Sequence, residues 1–174
     1  MLRFRKKSLV VVVMVSAVSL APAAFATIGA ARATSPQTKS TRSYVFKLSI
    51  GMAERMWTAA QVRNKHPRTG EVMVMGSMGG AMSMGGSQRH VEVHISSRAT
   101  GKVVMGAHPT ISAIDTVKNA MMIKVPIAAM EGVTSGAADL HYGNNVQLVP
   151  GHTYRVTITL KGERTAFRIR APKV

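Results

Sequence analysis

Two short stretches hold most of the residues that could do chemistry. Between positions 73 and 84 five methionines (Met73, Met75, Met78, Met82 and Met84) are separated by small residues, mostly glycine and serine. Directly after them His90, Glu92 and His94 occupy alternate positions. Thioether sulfur is a soft donor that suits Cu(I), and imidazole suits copper, iron and zinc. In a strand, His90, Glu92 and His94 share one face with consecutive members about 7 Å apart. Two such side chains converge on one ion more readily than three, which favours His90 with Glu92 or His90 with His94. The competing reading is a solvated strand face opposite Val91, Val93 and Ile95, preceded by methionines that fill a core or a linker.

A second candidate lies downstream. His141 sits within Asp139-Leu140-His141-Tyr142-Gly143-Asn144-Asn145, a polar segment that could equally be a turn with an incidental histidine. His66, His108 and His152 neighbour prolines or glycines and read as turn residues. Other chemistries lack their residues. The chain has no cysteine, which excludes thiolate sites and disulfides. It has no G-x-S-x-G, no H-E-x-x-H and no glycine-rich phosphate fingerprint. Its seven acidic residues include no close pair suited to glycoside hydrolysis. A binding role, not an enzymatic one, is expected.

The elements that must position these residues begin after an export signal. Arg3, Arg5, Lys6 and Lys7 precede an apolar run over 9–20, and Ala24-Phe25-Ala26 is a small-x-small cleavage site, with Ala31-Arg32-Ala33 as a second one. The run is short for a spanning helix, which needs about 20 apolar residues. We therefore expect a cleaved signal peptide over 1–26 and an exported protein. Residues 27–42, rich in Ala, Ser and Thr, read as a flexible lead. One domain is expected over 43–174, with the methionine loop at 73–86.

Tyr44, Phe46, Leu48 and Ile50 alternate with Val45, Lys47 and Ser49, the period of a half-buried strand. Residues 52–62 read as a helical turn or a bulged strand. Residues 71–75 and 89–96 read as strands, 102–105 as the return of a hairpin, and 109–113 as a short strand. Residues 120–128 read as a strand with Met121, Ile123, Val125 and Ile127 on one face. Residues 130–146 lack periodicity and read as a long functional loop. A brief strand over 146–149 and a hairpin over 152–170 close the chain. This pattern predicts an all-β fold, an antiparallel immunoglobulin-like β-sandwich of about seven or eight strands. A small closed barrel is the alternative.

The net charge of +16 favours anionic lipid or other envelope polyanions, and the basic residues are spread through the chain. Sparse aromatics and the export signal argue against nucleic acid as a partner.

The His90-Val91-Glu92 and Asp139-to-Asn145 segments, with Met130 between them, resemble the periplasmic iron-transport protein family. The resemblance covers about 43–170. It implies an exported, copper-binding immunoglobulin-like sandwich associated with ferrous-iron uptake, located in the periplasm. It further implies a homodimer and an inner-membrane metal permease as the partner that receives the ion. The family's metal ligands carry over to His90, Glu92, Met130 and His141. The family's late-loop histidine has no counterpart here, so His94 or a loop methionine completes the shell. The implied ions are copper and, second, iron. Two other readings stand beside this one: a Cu(I) chaperone whose site is the methionine loop, and a basic sandwich that binds anionic envelope components without metal.

Overall fold

The computed structural model describes residues 34–76, 88–118 and 121–173. They form two facing sheets, and the β-sandwich expected from the sequence is what the chain adopts. Eleven strands and one helix are present among the described residues, more strands than the periodicity indicates. In order they are β1 (Gln37–Ser40), β2 (Tyr44–Met52), β3 (Met56–Thr58), α1 (Ala59–Lys65), β4 (Glu71–Gly76), β5 (Gln88–Ser97), β6 (Thr110–Asp115), β7 (Ile123–Val125), β8 (Ala128–Gly132), β9 (Gly136–Gln147), β10 (Thr153–Leu160) and β11 (Glu163–Arg170). A seven-stranded sheet has the order β1-β2-β5-β9-β8-β4-β3, and a four-stranded sheet the order β11-β10-β6-β7. All pairings are antiparallel except β3 with β4. The proposed signal segment and Met78, Met82 and Met84 lie outside the described residues.

The core between the sheets follows the alternation visible in the sequence. Phe46, Leu48 and Ile50 of β2 and Val91, Val93 and Ile95 of β5 face Val156, Ile158, Phe167 and Ile169 of the smaller sheet. Several expectations are corrected. Gln37–Ser40, read as part of a flexible lead, pairs with β2 from Gln37↔Leu48 to Ser40↔Val45. The strand expected over 120–128 is broken by Pro126, which has no N–H to give a ladder. Its first part is β7 in the small sheet, Ala128 opens β8 in the large one, and Met121 is exposed. The hairpin return at 102–105 is reduced to a single bridge, Ser96↔Val103. The largest correction concerns 130–146, which is not a loop: β9 runs twelve residues through the middle of the sheet. Leu140 to Val146 is buried throughout, so both faces are covered and no two-residue alternation marks the strand.

The second face of β9 is covered because the large sheet curls. Met52 ends β2 and Met56 begins β3, five strand positions away in the sheet. Flat, those positions would lie about 24 Å apart; the four intervening Cα steps reach at most about 15 Å. The sheet must therefore bend toward this connection, which crosses its outer face. The Asn145 side chain of β9 ties the crossing down, its Oδ1 accepting from Glu54 N at 3.0 Å and its Nδ2 donating to Glu54 O at 2.7 Å.

Gly143 permits the close pairing of β9 with β5 at the centre of this curl. A Cβ there would lie 1.7 Å from the Val91 carbonyl oxygen. Gly143→Ala is expected to force the two strands apart and cost about 3 kcal/mol or more, read as a lowered urea midpoint.

Candidate metal centre

The concave outer face of the large sheet gathers residues from five elements. Alternation on β5 sends His90, Glu92 and His94 outward, while Val91, Val93 and Ile95 enter the core. On β9 the outward set includes His141, Gly143 and Asn145, with Leu140 and Tyr142 in the core. Met130 of β8 lies directly across from His141, and Met73 of β4 across from Met130. A bulge between Met73 and Met75 then turns Met75 into the inter-sheet core. Met73, Met130, Ala128 and Met56 form a small apolar cluster of their own on the outer side. Glu71 precedes Met73 by two positions and so shares its face.

Glu92, His94, Asp139 and His141 bring one ligand atom each within 4.8 Å of one another. His94 Nε2 hydrogen-bonds the Glu92 carboxylate and lies 3.8 Å from Asp139 Oδ1. His141 Nε2 is 3.4 Å from His90 Nε2 and 3.8 Å from Glu71 Oε2. Of the residues taken from the sequence, His90, Glu92, His94 and His141 meet here, and Met130 stands beside them as the cross-strand partner of His141. The pairing favoured from spacing, His90 with Glu92 or with His94, differs from the one found: Glu92 and His94 group with Asp139 and His141, and His90 reaches them through His141. The partner strand supplies His141 between His90 and His94, whose rings lie 5.5 Å and 5.6 Å from it. The fold adds Asp139, Glu71 and Asn145 to these candidates. The Glu71–Met73 alternation and the Asp139–His141 alternation are the signals that point to the two acids.

The opposite nitrogen of each imidazole is held by an oxygen acceptor. His90 Nδ1 donates to Asn145 Oδ1 at 3.0 Å, His94 Nδ1 to the Leu140 carbonyl at 3.1 Å, and His141 Nδ1 to the Asp139 carbonyl at 2.8 Å. Asn145 cannot be flipped, because its Nδ2 is committed to the Glu54 carbonyl. With Nδ1 carrying the hydrogen, the neutral His90 and His141 rings present Nε2 lone pairs to the shared space, whereas His94 also donates from Nε2 to the Glu92 carboxylate and must give up that proton to bind an ion. Outer partners of this kind fix tautomer and ring direction around metal ligands.

The electrostatics are those of a site made for a cation. Burial, then the neighbouring His141, pushes His90 down to about 4, against the Asn145 hydrogen bond. Burial likewise lowers His141. These two neutral rings therefore face each other Nε2 to Nε2, lone pair toward lone pair, with no proton to bridge them. Burial, then repulsion from Asp139, Glu54 and Glu92, lifts Glu71 to about 7. Its Oε2 is buried without a hydrogen-bond partner. Burial opposes ionisation of Glu92, but its hydrogen bond to His94, the electrostatic pull of the neighbouring His141 and His94 rings, and the Ser49 hydroxyl carry it down to about 2. The hydrogen bond to Glu92 raises His94, against its burial. Burial and Glu92 raise Glu54. In a chain of net charge +16, four of the seven carboxylates (Glu54, Glu71, Glu92 and Asp139) are thus drawn to one concavity. Like charges and buried imidazoles cost stability unless something positive joins them.

No family model matches this chain, and no curated protein matches it. Among solved structures it is similar to a DUF4426 family protein from Pseudomonas aeruginosa, at 12% identity, over 79% of this chain and 98% of that one, with a TM-score of 0.45.

Proposed function

We propose that this chain is an exported metal-binding protein whose ion sits among His90, Glu92, His94, Asp139 and His141, with Glu71 and Met130 at the margin. The observation that carries the proposal is the grouping of ligand atoms of Glu92, His94, Asp139 and His141 within 4.8 Å of one another, with His90 Nε2 3.4 Å from His141 Nε2 and the Nδ1 of all three rings held by oxygen acceptors. The donors are nitrogen and carboxylate oxygen, a set that suits Cu(II), and also ferrous iron, for which two imidazoles and one carboxylate make a common site. The Met130–Met73 side adds thioether character, which favours Cu(I) after reduction. Without thiolates the ion stays exchangeable, which fits a carrier that passes it on, in the periplasm, to an inner-membrane permease; the ion is cargo and no catalysis is assigned to it.

The test is a Cu(II) titration against a competing chelator, followed by the same titration with ferrous iron under anaerobic conditions. One equivalent is expected, accompanied by proton release below about pH 7, because Glu71 must give up its proton as the ion enters. Absence of a stoichiometric equivalent for either ion would refute the proposal. Asn145→Ala removes the acceptor that orients His90 and is expected to weaken Cu(II) binding by about 10- to 100-fold while leaving one equivalent. The same titration reads it.

A further inference from the structure

The face of the molecule turned away from the metal centre carries a different signature. On the four-stranded sheet Tyr154, Val156, Phe167 and Ile169 point inward, and the alternate positions put Arg155, Arg168 and Arg170 outward, all exposed. Arg155 and Arg168 are direct cross-strand partners. Like charges in that relation repel, and neither guanidinium has a protein partner among the described residues. With Ile114, Asp115 and Thr116 they line an open cleft of about 310 Å³. Asp115, the acid at this end of the sheet, is turned inward and occupied by the backbone N–H groups of Val117 and Lys118 and by His152 Nδ1 at 2.6 Å. Arg155 and Arg168 therefore face outward with no acidic partner among the described residues.

Beside them, the connection from β6 to β7 exposes large apolar side chains. Val117 is 64% exposed, Met121 89% and Met122 48%. Pairing of β6 with β10 brings this connection alongside Arg155, since Ile114 is opposite Arg155 and Asp115 opposite Tyr154. Unpaired arginines next to protruding apolar side chains match the two layers of a lipid surface: phosphates outside, acyl chains beneath. A nucleic acid would use the arginines but not the apolar tips. It would also find no stacking platform, because the aromatic rings of β10 and β11 are in the core.

We propose that this end of the four-stranded sheet docks on an anionic phospholipid surface, with Arg155 and Arg168 on lipid phosphates and Val117, Met121 and Met122 entering the headgroup layer. Docked so, the metal centre on the outer face of the opposite sheet stays clear of the membrane. The proposal stands apart from the metal reading, and loss of either leaves the other intact.

The test is co-sedimentation of the chain from Thr27 onward, which holds the whole sandwich, with phosphatidylcholine vesicles with and without phosphatidylglycerol. Binding is expected only with phosphatidylglycerol, falling at high salt. The double variant Arg155→Gln/Arg168→Gln should reduce partitioning roughly thirtyfold, at about a fivefold loss for each basic residue. Met121→Asp should reduce it as well, while Arg63→Gln/Lys65→Gln on α1 should not, with unchanged melting temperatures confirming that all variants fold. Equal loss in the α1 variant, no effect of Met121→Asp, or no preference for phosphatidylglycerol would each overturn the proposal.

Discussion

Replacing His141 by alanine is expected to lower Cu(II) affinity by at least about 100-fold, beyond the range usual for an outer-sphere partner. The size of the effect follows from its position. His141 Nε2 is the atom shared by both halves of the cluster, 3.4 Å from His90 Nε2 and 3.8 Å from Glu71 Oε2, and grouped with Glu92, His94 and Asp139. No neighbour can replace it, because His90 is tethered to Asn145 and His94 to the Leu140 carbonyl and Glu92. The apo fold should tolerate the change better than an ordinary core truncation, since it also removes the opposition of two imidazole lone pairs. Competition titration of folded protein, checked by circular dichroism, measures the effect. A change within about threefold would place the ion elsewhere.

Glu71→Gln is expected to stabilise the metal-free protein by about 2 kcal/mol near pH 8 and by nothing near pH 4.5, because partial solvent access reduces the ~3 kcal/mol that the full shift represents. The sign follows from linkage. Glu71 titrates near 7 in the fold and near 4.5 when unfolded, so the folded state holds the extra proton. Its favourable share of stability is complete below about 4.5 and is lost as pH rises through 7. Glutamine mimics the protonated form at every pH, so the variant gains where the wild type has lost. His90 works in the opposite direction: its folded value near 4 lies below the ordinary 6.5, so its share is present above 6.5 and is lost as pH falls through 4. Glu92, near 2 in the fold, loses its share only as pH falls from about 4.5 toward 2. Between about 4.5 and 6.5 the Glu71 and His90 slopes cancel in the wild type, and the difference between variant and wild type isolates Glu71. Urea denaturation across this range measures it. With metal bound the order should invert, because Glu71 then has a cation beside it.

The sequence showed some of this architecture plainly and hid the rest for physical reasons. β2 and β5 each bury one face in the inter-sheet core, so their alternation is clean, and His90, Glu92 and His94 were placed on a common face from spacing alone. β9 lies in the middle of a curled sheet with both faces covered, and lost its alternation for that reason. His141 stands out by its type, but without a visible strand period nothing ties it to Asp139 two positions before it. The bulge at Val74 interrupts the alternation of β4 and sends Met73 and Met75 to opposite sides, so that Glu71 shares a face with Met73 but not with Met75. The methionine-rich stretch therefore divides in the fold: Met73 joins Met130 beside the imidazoles, while Met75 is core filler. The curl itself follows from the short connection between Met52 and Met56, a distance constraint that no local pattern announces.

The central claim is that three histidines offer Nε2 to a single ion. Pulsed electron paramagnetic resonance of the one-to-one Cu(II) complex tests it directly, because the remote Nδ1 of a bound imidazole modulates the echo and the depth of modulation counts the rings. The account predicts modulation from more than one imidazole, reduced stepwise in His90→Ala, His94→Ala and His141→Ala. A spectrum that none of these variants changes would contradict it.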